Sequence, residues 1–397
     1  MGVVDGYVRQ FTGGNGLRRR AIERFAALGF PTGREEAWRF TDVTPIAETA
    51  FGPADGADLA PLEPFAHGPL AACQLAFVNG RFAPALSSAL PPGVTRTEPD
   101  PADIGSGAFA ALNTALFRDG AFLRIAGRIE RPIHLLFLSA GDGFAAHPRV
   151  RIAADAGAQA TIVESYLGPL GGAYLTNAVT EITLGDGAIL DWTKVQRESP
   201  KAYHVATVAA RQARASAFTS HSISLGAAIA RNDISAVLDG EGAECTLNGL
   251  FEATGSQLVD HHTSIDHAKP HGTSRELYKG ILNGKARGVF DGKIVVRPDA
   301  QKTNAMQTNR NLLLSKEALV NTKPQLEIFA NDVKCRHGAT IGQLDGDMLF
   351  YMRSRGIDAA DARRLLVHAF ASEIIDEVKV EAIRAQLGGC LNLLVLP

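Results

Sequence analysis

Polar and apolar positions along the chain follow two different periods. Near the start, Leu17, Ala21, Phe25 and Leu28 recur at the spacing of one helical face, and Gly29 with Pro31 closes that segment. Near the end, "DAADARRLLVHAFASEII" follows Ile357. Asp358 is placed to cap a helix with Asp361 three residues on, and Ala362, Leu366, Phe370, Ile374 and Val378 keep helical spacing behind it. "EAIRAQLGG" predicts a second helix ending at Gly388. Between about 120 and 345 the helical period is lost. Short apolar runs take over, among them "AFLRIAG", "IHLLFLSA", "ATIVESYLG", "ECTLNGLFEA", "KIVVRPDA" and "LEIFAND". They have strand length and are separated by Gly, Asp, Asn and Pro. No helical stretch of a dozen residues intervenes, which disfavours a doubly wound sheet.

The strand-like region also repeats. A Gly-Ala pair falls at 157–158, at 187–188 and at 242–243. The first gap is 30 residues and the second 55, about twice 27. The copy expected between them lies near "RQARASAFTS" (211–220), which keeps the small residues and lacks the Gly. A period of this size without helices points to stacked β coils, a solenoid in which each coil buries its inward residues on the next. A β-sandwich with coincidental turns is the alternative.

Composition narrows the classes. The 397 residues are 46% hydrophobic, enough for a large core, and 40 basic residues against 42 acidic give a formal charge of −2. No basic field exists to hold nucleic acid. "LRRRAIERF" (17–25), the densest basic stretch, reads as the polar face of a helix. No run approaches 18 apolar residues, so no membrane span is expected. "MGVVDGYVRQF" does not resemble a signal peptide, and Gly6 stands where a myristoylation motif needs Ser or Thr. Cys73, Cys245, Cys335 and Cys390 are far apart and form no CxxC, which fits a reducing cytoplasm rather than a disulfide framework.

Standard catalytic signatures are missing. "ILNGKAR" (281–287) lacks the flanking residues of a phosphate-binding loop, and "GEGAEC" lacks the third Gly of a dinucleotide fingerprint. There is no GxSxG, HExxH or EF-hand loop. Three clusters remain. "DHHTSIDHAKPH" holds His261, His262, His267 and His271. On a strand, His261 and His267 share one face while His262 and Asp266 share the other. One face could bind a metal, but a polar ladder on the solenoid surface is the preferred reading. Gln301, Asn304, Gln307, Asn309 and Asn311 would stack as structural amide ladders, and Glu35 and Glu36 in "REEAW" mark a solvated helix start. In "DVKCRHGAT", Val333, Cys335 and His337 would share one face of a strand and Lys334 and Arg336 the other. The thiol and imidazole then lie about 7 Å apart at the backbone, within reach of a shared iron or cluster. Lys334 and Arg336 could favour the thiolate. Two ligands do not complete an iron–sulfur site, so a second chain would have to supply the rest. The alternative is a buried cysteine beside a surface histidine.

These stretches, taken in order, resemble a known family. "GILNGKARGVFDGKIVVRPDAQKTNAMQTNRNLLLSKEA" and "TKPQLEIFANDVKCRHGATIGQLDGDMLFYMRSRGI" are similar to the SufB/SufD family of iron–sulfur cluster assembly proteins; "RNDISAVLDGEGAECTLNGLF" (231–251) and "REEAWRFTDVTPI" (34–46) extend the likeness. The chain looks more like the SufD branch. SufB tends to have His-Glu-Ala where His337-Gly338-Ala339 stands here, and it is usually longer. The resemblance implies a mainly β fold, a right-handed parallel β-helix flanked by helical regions, with divisions at 1–110, 111–344 and 345–397. It implies a non-catalytic cytoplasmic scaffold that pairs with a SufB-like subunit through the β-helices and binds a SufC-like ATPase through its C-terminal helices. In isolation it could form a homodimer. The scaffold would build and transfer iron–sulfur clusters, with this chain helping to bring in iron. His337 matches the family histidine thought to serve the subunit interface, Cys335 is a weaker second, and Cys245 reads as buried core. The competing class is a β-helix enzyme such as a polysaccharide lyase. Such enzymes are mostly secreted and aromatic-rich, whereas this chain is 7% aromatic.

Overall fold

Strands that bury alternate residues and return after a fixed interval can satisfy their backbones only by stacking on their own copies. A computed structural model, which describes residues 2–14, 16–54, 70, 73–101, 107–169 and 171–391, has this architecture. Two sheets run side by side, one of 11 strands and one of 10. Successive strands alternate between the sheets, and each pairs in parallel with the strand two further along. Glu244–Ala253 pairs with Thr273–Leu282 in one sheet, and Leu258–His267 with Arg287–Val296 in the other. The result is a mainly β chain with a β-solenoid of about eight turns and helices at both ends. The core lies between the sheets, where Ile152, Ile182, Trp192, Val208, Ile234, Leu247, Ile265 and Ile294 are buried.

The turn ladder explains both the visible repeat and its gap. Gly157 and Gly187 adopt φ of 69° and 66°. Ala215 takes the missing position with φ of 52°, then Gly242 with 68°, His271 with 60° and Lys302 with 63°. Each donates its N–H to the next coil: Gly187 to Arg214 at 2.8 Å, Ala215 to Glu241 at 2.9 Å, His271 to Gln301 at 2.9 Å. The left-handed turn is thus present in every one of these coils, and three of them pay the side-chain strain that Gly avoids. The stacked bonds over-determine the conformation.

Helices cover both outer faces. Val3–Gln10, Gly16–Leu28 and Ala108–Leu116 form an aromatic-rich layer on the 11-stranded sheet, with Tyr7, Phe25 and Phe30 in edge-to-face contact over Ala145, Leu175 and Val205. Gly29 ends the second helix with φ of 65°, as its position after the stripe predicts. Ala359–Ile375 and Glu381–Leu391 cover the 10-stranded sheet, burying Val195, Ile223, Leu250 and Ile281. Asp358 caps the first of these by accepting the Asp361 N–H at 2.9 Å. Ala362, Ile374 and Val378 are buried as the spacing predicts, but Val367 and Ala371 complete the inward stripe while Leu366 and Phe370 are half-buried. The last helix continues past Gly388, which keeps a right-handed conformation and so provides no stop.

Burying carboxylates makes the fold pH-sensitive. Removal from water pushes Glu252 up to about 8 and Glu276 up to about 7. Both pKa values are raised, so the folded chain holds protons that the unfolded chain has already released. Stability is greatest below the ordinary Glu value and falls as pH rises through these raised values. Glu252→Gln and Glu276→Gln should each recover on the order of 2 kcal/mol at pH 8 and almost none at pH 4.5. Denaturant melts at the two pH values check this. Equal gains at both would refute burial of the charge as the cause.

Candidate functional site at the open end of the solenoid

One end of the solenoid is closed and the other is not. At the start, Val94–Arg96 and Arg81–Phe82 turn back antiparallel on their neighbours and finish the two sheets. At the far end, Leu319–Ile328 and Lys334–Gly342 pair only on one side among the described residues. Around this mouth Leu319, Ile328, Phe329 and Ile341 are exposed, Phe329 at 60%. Apolar residues on an unpaired strand edge mark a surface made to be covered.

Cys335 and His337 lie on this last strand. Cys335 is in register with Ala305, and His337 with Gln307. Cys335 and Val333 pack against the interior core, so strand alternation turns His337 to the same inward side at the mouth. Its neighbour Gln307 is buried inside. The two side chains therefore share a face, as their spacing predicts, and His337 is exposed. The thiolate expectation fails. Lys334 and Arg336 sit on the opposite, exposed face, and partial burial pushes the Cys335 thiol above its ordinary value. Among the described residues no three His, Cys, Asp or Glu side chains gather into a metal-binding group.

The histidine cluster also differs from a surface ladder. His261 and His267 share one face as expected, but that face is the interior, where both are fully buried. His261 is wedged between the rings of Phe251 and Tyr278 at 5.4 and 5.2 Å, and burial holds it down at about 3. Only His262 and His271 face outward. Cys245 is buried in the core as read from the sequence, and burial raises its thiol. Of the amides, Asn309 bonds the Tyr278 carbonyl at 3.1 Å and Gln307 reaches Glu276 at 2.7 Å, both structural contacts across coils.

Two assemblies were not read from the sequence. One is a buried ion node that joins three distant segments. Arg231 donates to Asp260 at 2.6 Å, to both oxygens of Asp233 at 2.7 and 3.0 Å, and to the Ala37 carbonyl at 2.7 Å, while Trp38 lies 3.8 Å over its guanidinium. Thr41 donates to the same Asp260. The "REEAWRFT" stretch is therefore a strap docked on the solenoid, and its exposed Glu35 and Glu36 open a short 3-10 helix, Glu36–Trp38, as read from the sequence. Beside it lies an open groove of about 390 Å³ where Asp233, His262, Asp291 and Lys323 stand in one register row. The other is a polar chain inside the coils. Glu198 meets His204 at 2.6 Å, His204 meets Lys194 at 2.8 Å, and Lys194 donates to Asn232 at 2.6 Å. Burial lowers Lys194 to about 8. Alternation carried the signal: Leu190, Trp192 and Lys194 fall on one face of the run "AILDWTKVQ".

Residues 137–370 match the family described as "SUF system FeS cluster assembly, SufBD core domain". The chain belongs to the SufBD family. It is 36% identical over 412 residues to an iron–sulfur cluster assembly SufBD family protein of Synechocystis, which covers 94% of this chain and 90% of that one. It is 33% identical over 379 residues to the iron–sulfur cluster assembly protein SufD of Escherichia coli, covering 92% and 89%. The SufBD core match takes in Arg231, the interior polar chain and both strands of the open end. Membership makes this a SUF-system protein of iron–sulfur cluster assembly, SufD-like in its relatives. No helix among the described residues is long and apolar enough to cross a membrane.

Proposed function

We propose that the chain is a SufD-like, non-catalytic scaffold subunit of the cytoplasmic SUF system, and that its open end is where iron and the nascent cluster are handled as cargo. The observation that carries this reading is the placement of His337 and Cys335 on the inward face of a terminal strand with one free edge, ringed by exposed apolar residues. A SufB-like subunit would pair with the two free edges and bring the remaining ligands. His337 is the ligand offered by this chain. Cys335, beside it on the same face, is the weaker second candidate. The C-terminal helices would take a SufC-like ATPase. In support, the helix Gly346–Ser354 buries none of its residues, and Met348, Phe350 and Tyr351 on it are exposed. Iron would be loaded at the mouth with help from this chain.

The test is anaerobic reconstitution of the complex, co-expressed with its SufB-like and SufC-like partners, with iron and sulfide. His337→Ala should leave the complex assembled and reduce bound iron about tenfold or more, since losing a ligand costs at least as much as losing its outer-shell support. Cys335→Ala should keep its iron. Visible absorption and Mössbauer spectra report both. Unchanged iron in His337→Ala would move the site to the partner chain.

A further inference from the structure

The interior directly beneath His337 is built in an unusual way. Glu276, Gln307 and His337 occupy one register row of three successive coils. Glu276 and Gln307 are both buried. The Gln307 Nε2 donates to Glu276 Oε2 at 2.7 Å. On the opposite sheet Gly292 faces this amide, and a Cβ there would collide with it, so the position leaves room for the amide and little else. The Gln307 Oε1 is buried and has no hydrogen-bond partner among the described residues. A carboxamide anchored through its nitrogen directs its oxygen away from the anchor. Here that is away from Glu276, the side on which the next coil places His337. A buried acceptor without a donor costs about 1–3 kcal/mol, and is worth keeping where a donor arrives.

We propose that Gln307, oriented by Glu276, is a positioning residue for His337: its side-chain oxygen accepts one imidazole N–H, which fixes the tautomer and leaves the second ring nitrogen, with its lone pair, facing out of the mouth. This rests on the reading of His337 as the ligand from this chain, and it names the residues that prepare that ligand. An imidazole can coordinate iron only through an unprotonated nitrogen, and the group that holds the opposite N–H decides which nitrogen that is. The order of donors runs one way, from imidazole N–H to amide oxygen and from amide N–H to carboxylate. No proton has to move for the site to be ready.

The test reads the ring itself and requires no metal. The full-length chain is labelled with ¹⁵N-histidine, and the His337 signals are assigned by their loss in His337→Ala. In the wild type at pH 8 one ring nitrogen should carry the proton almost alone, at a hydrogen-bonded shift. In Gln307→Met, which keeps length and removes the amide, the two nitrogens should move to the averaged shifts of an unrestrained imidazole. In Gln307→Glu, which restores an acceptor and replaces the amide N–H contact with one proton shared between the two carboxyls of 307 and 276, the single tautomer should return. Iron(II) affinity of the assembled complex is then measured for the same variants and should fall about 10–100-fold in Gln307→Met and recover in Gln307→Glu. An averaged tautomer in the wild type overturns the proposal without any variant, as do identical ring shifts in wild type and Gln307→Met. If the ring shifts change and iron affinity does not, the positioning stands and the assignment of His337 as ligand fails.

Discussion

Arg231→Ala is expected to destabilise the chain by about 3–5 kcal/mol, the usual cost of breaking one side of a buried ion pair. The arginine is fully enclosed and answers two carboxylates, a backbone carbonyl and an indole at once. Removing it leaves Asp260 inside with only Thr41 and His262 to oppose its charge. Burial alone pushes Asp260 up, and it is the charges of Arg231 and His262 that hold it below its ordinary value. In the variant Asp260 should therefore take up a proton at a higher pH. Arg231→Lys should rescue poorly, because an ammonium cannot make the paired contacts to Asp233 while reaching Ala37 and stacking on Trp38. Denaturant melts give the magnitude. Limited proteolysis gives the location: cleavage within 34–41 should precede global unfolding in Arg231→Ala. A variant that melts within about 1 kcal/mol of wild type would show that the strap is held by its apolar contacts instead.

Ala339→Pro is expected to abolish pairing at the open end while leaving the subunit folded. Lys334 donates its N–H inward to the Thr303 carbonyl at 2.8 Å. Amide direction alternates along a strand, so the N–H groups of 335, 337, 339 and 341 point outward from the rim. Proline at 339 deletes one outward donor and crowds the approach of a second strand, while the inward ladder to Asn304–Leu313 keeps its bonds. The preceding residue, Gly338, is already extended within the strand and accepts the restriction that proline imposes. Co-purification with a SufB-like partner should drop about tenfold or more, and the melt of the isolated subunit should move by less than about 1 kcal/mol. Undiminished pairing would mean that the partner does not add to this edge.

The solenoid was legible because inward apolar residues alternate over nearly every strand and because the Gly-Ala turns repeat. The period was only half visible, since Ala215, His271 and Lys302 hold the left-handed turn without glycine. Their conformation comes from the neighbouring coils, and no local residue preference reports it. The facing of Cys335 with His337, and of His261 with His267, followed from strand parity. Parity does not say which face is inside, so His261 and His267 read as part of a surface ladder and proved to be core. The Arg231 node was illegible for another reason. Its members come from 37, 41, 231, 233 and 260, and only the docking of the N-terminal strap brings them together. The orphaned oxygen of Gln307 belongs to the same class, because its meaning depends on which coil lies above it.

The unequal ends of the solenoid set a limit on growth. Coiled sheets with two bare rims would add copies head to tail without stopping, which is the route to fibres. Here the antiparallel returns at Arg81–Phe82 and Val94–Arg96 end the parallel ladders at one rim, while the other rim keeps the free parallel edges of Leu319–Ile328 and Lys334–Gly342. A particle with a single adhesive pole closes as a pair. In the pairing proposed above, anything enclosed where two such poles meet would be sheltered by two chains and would leave only as they part.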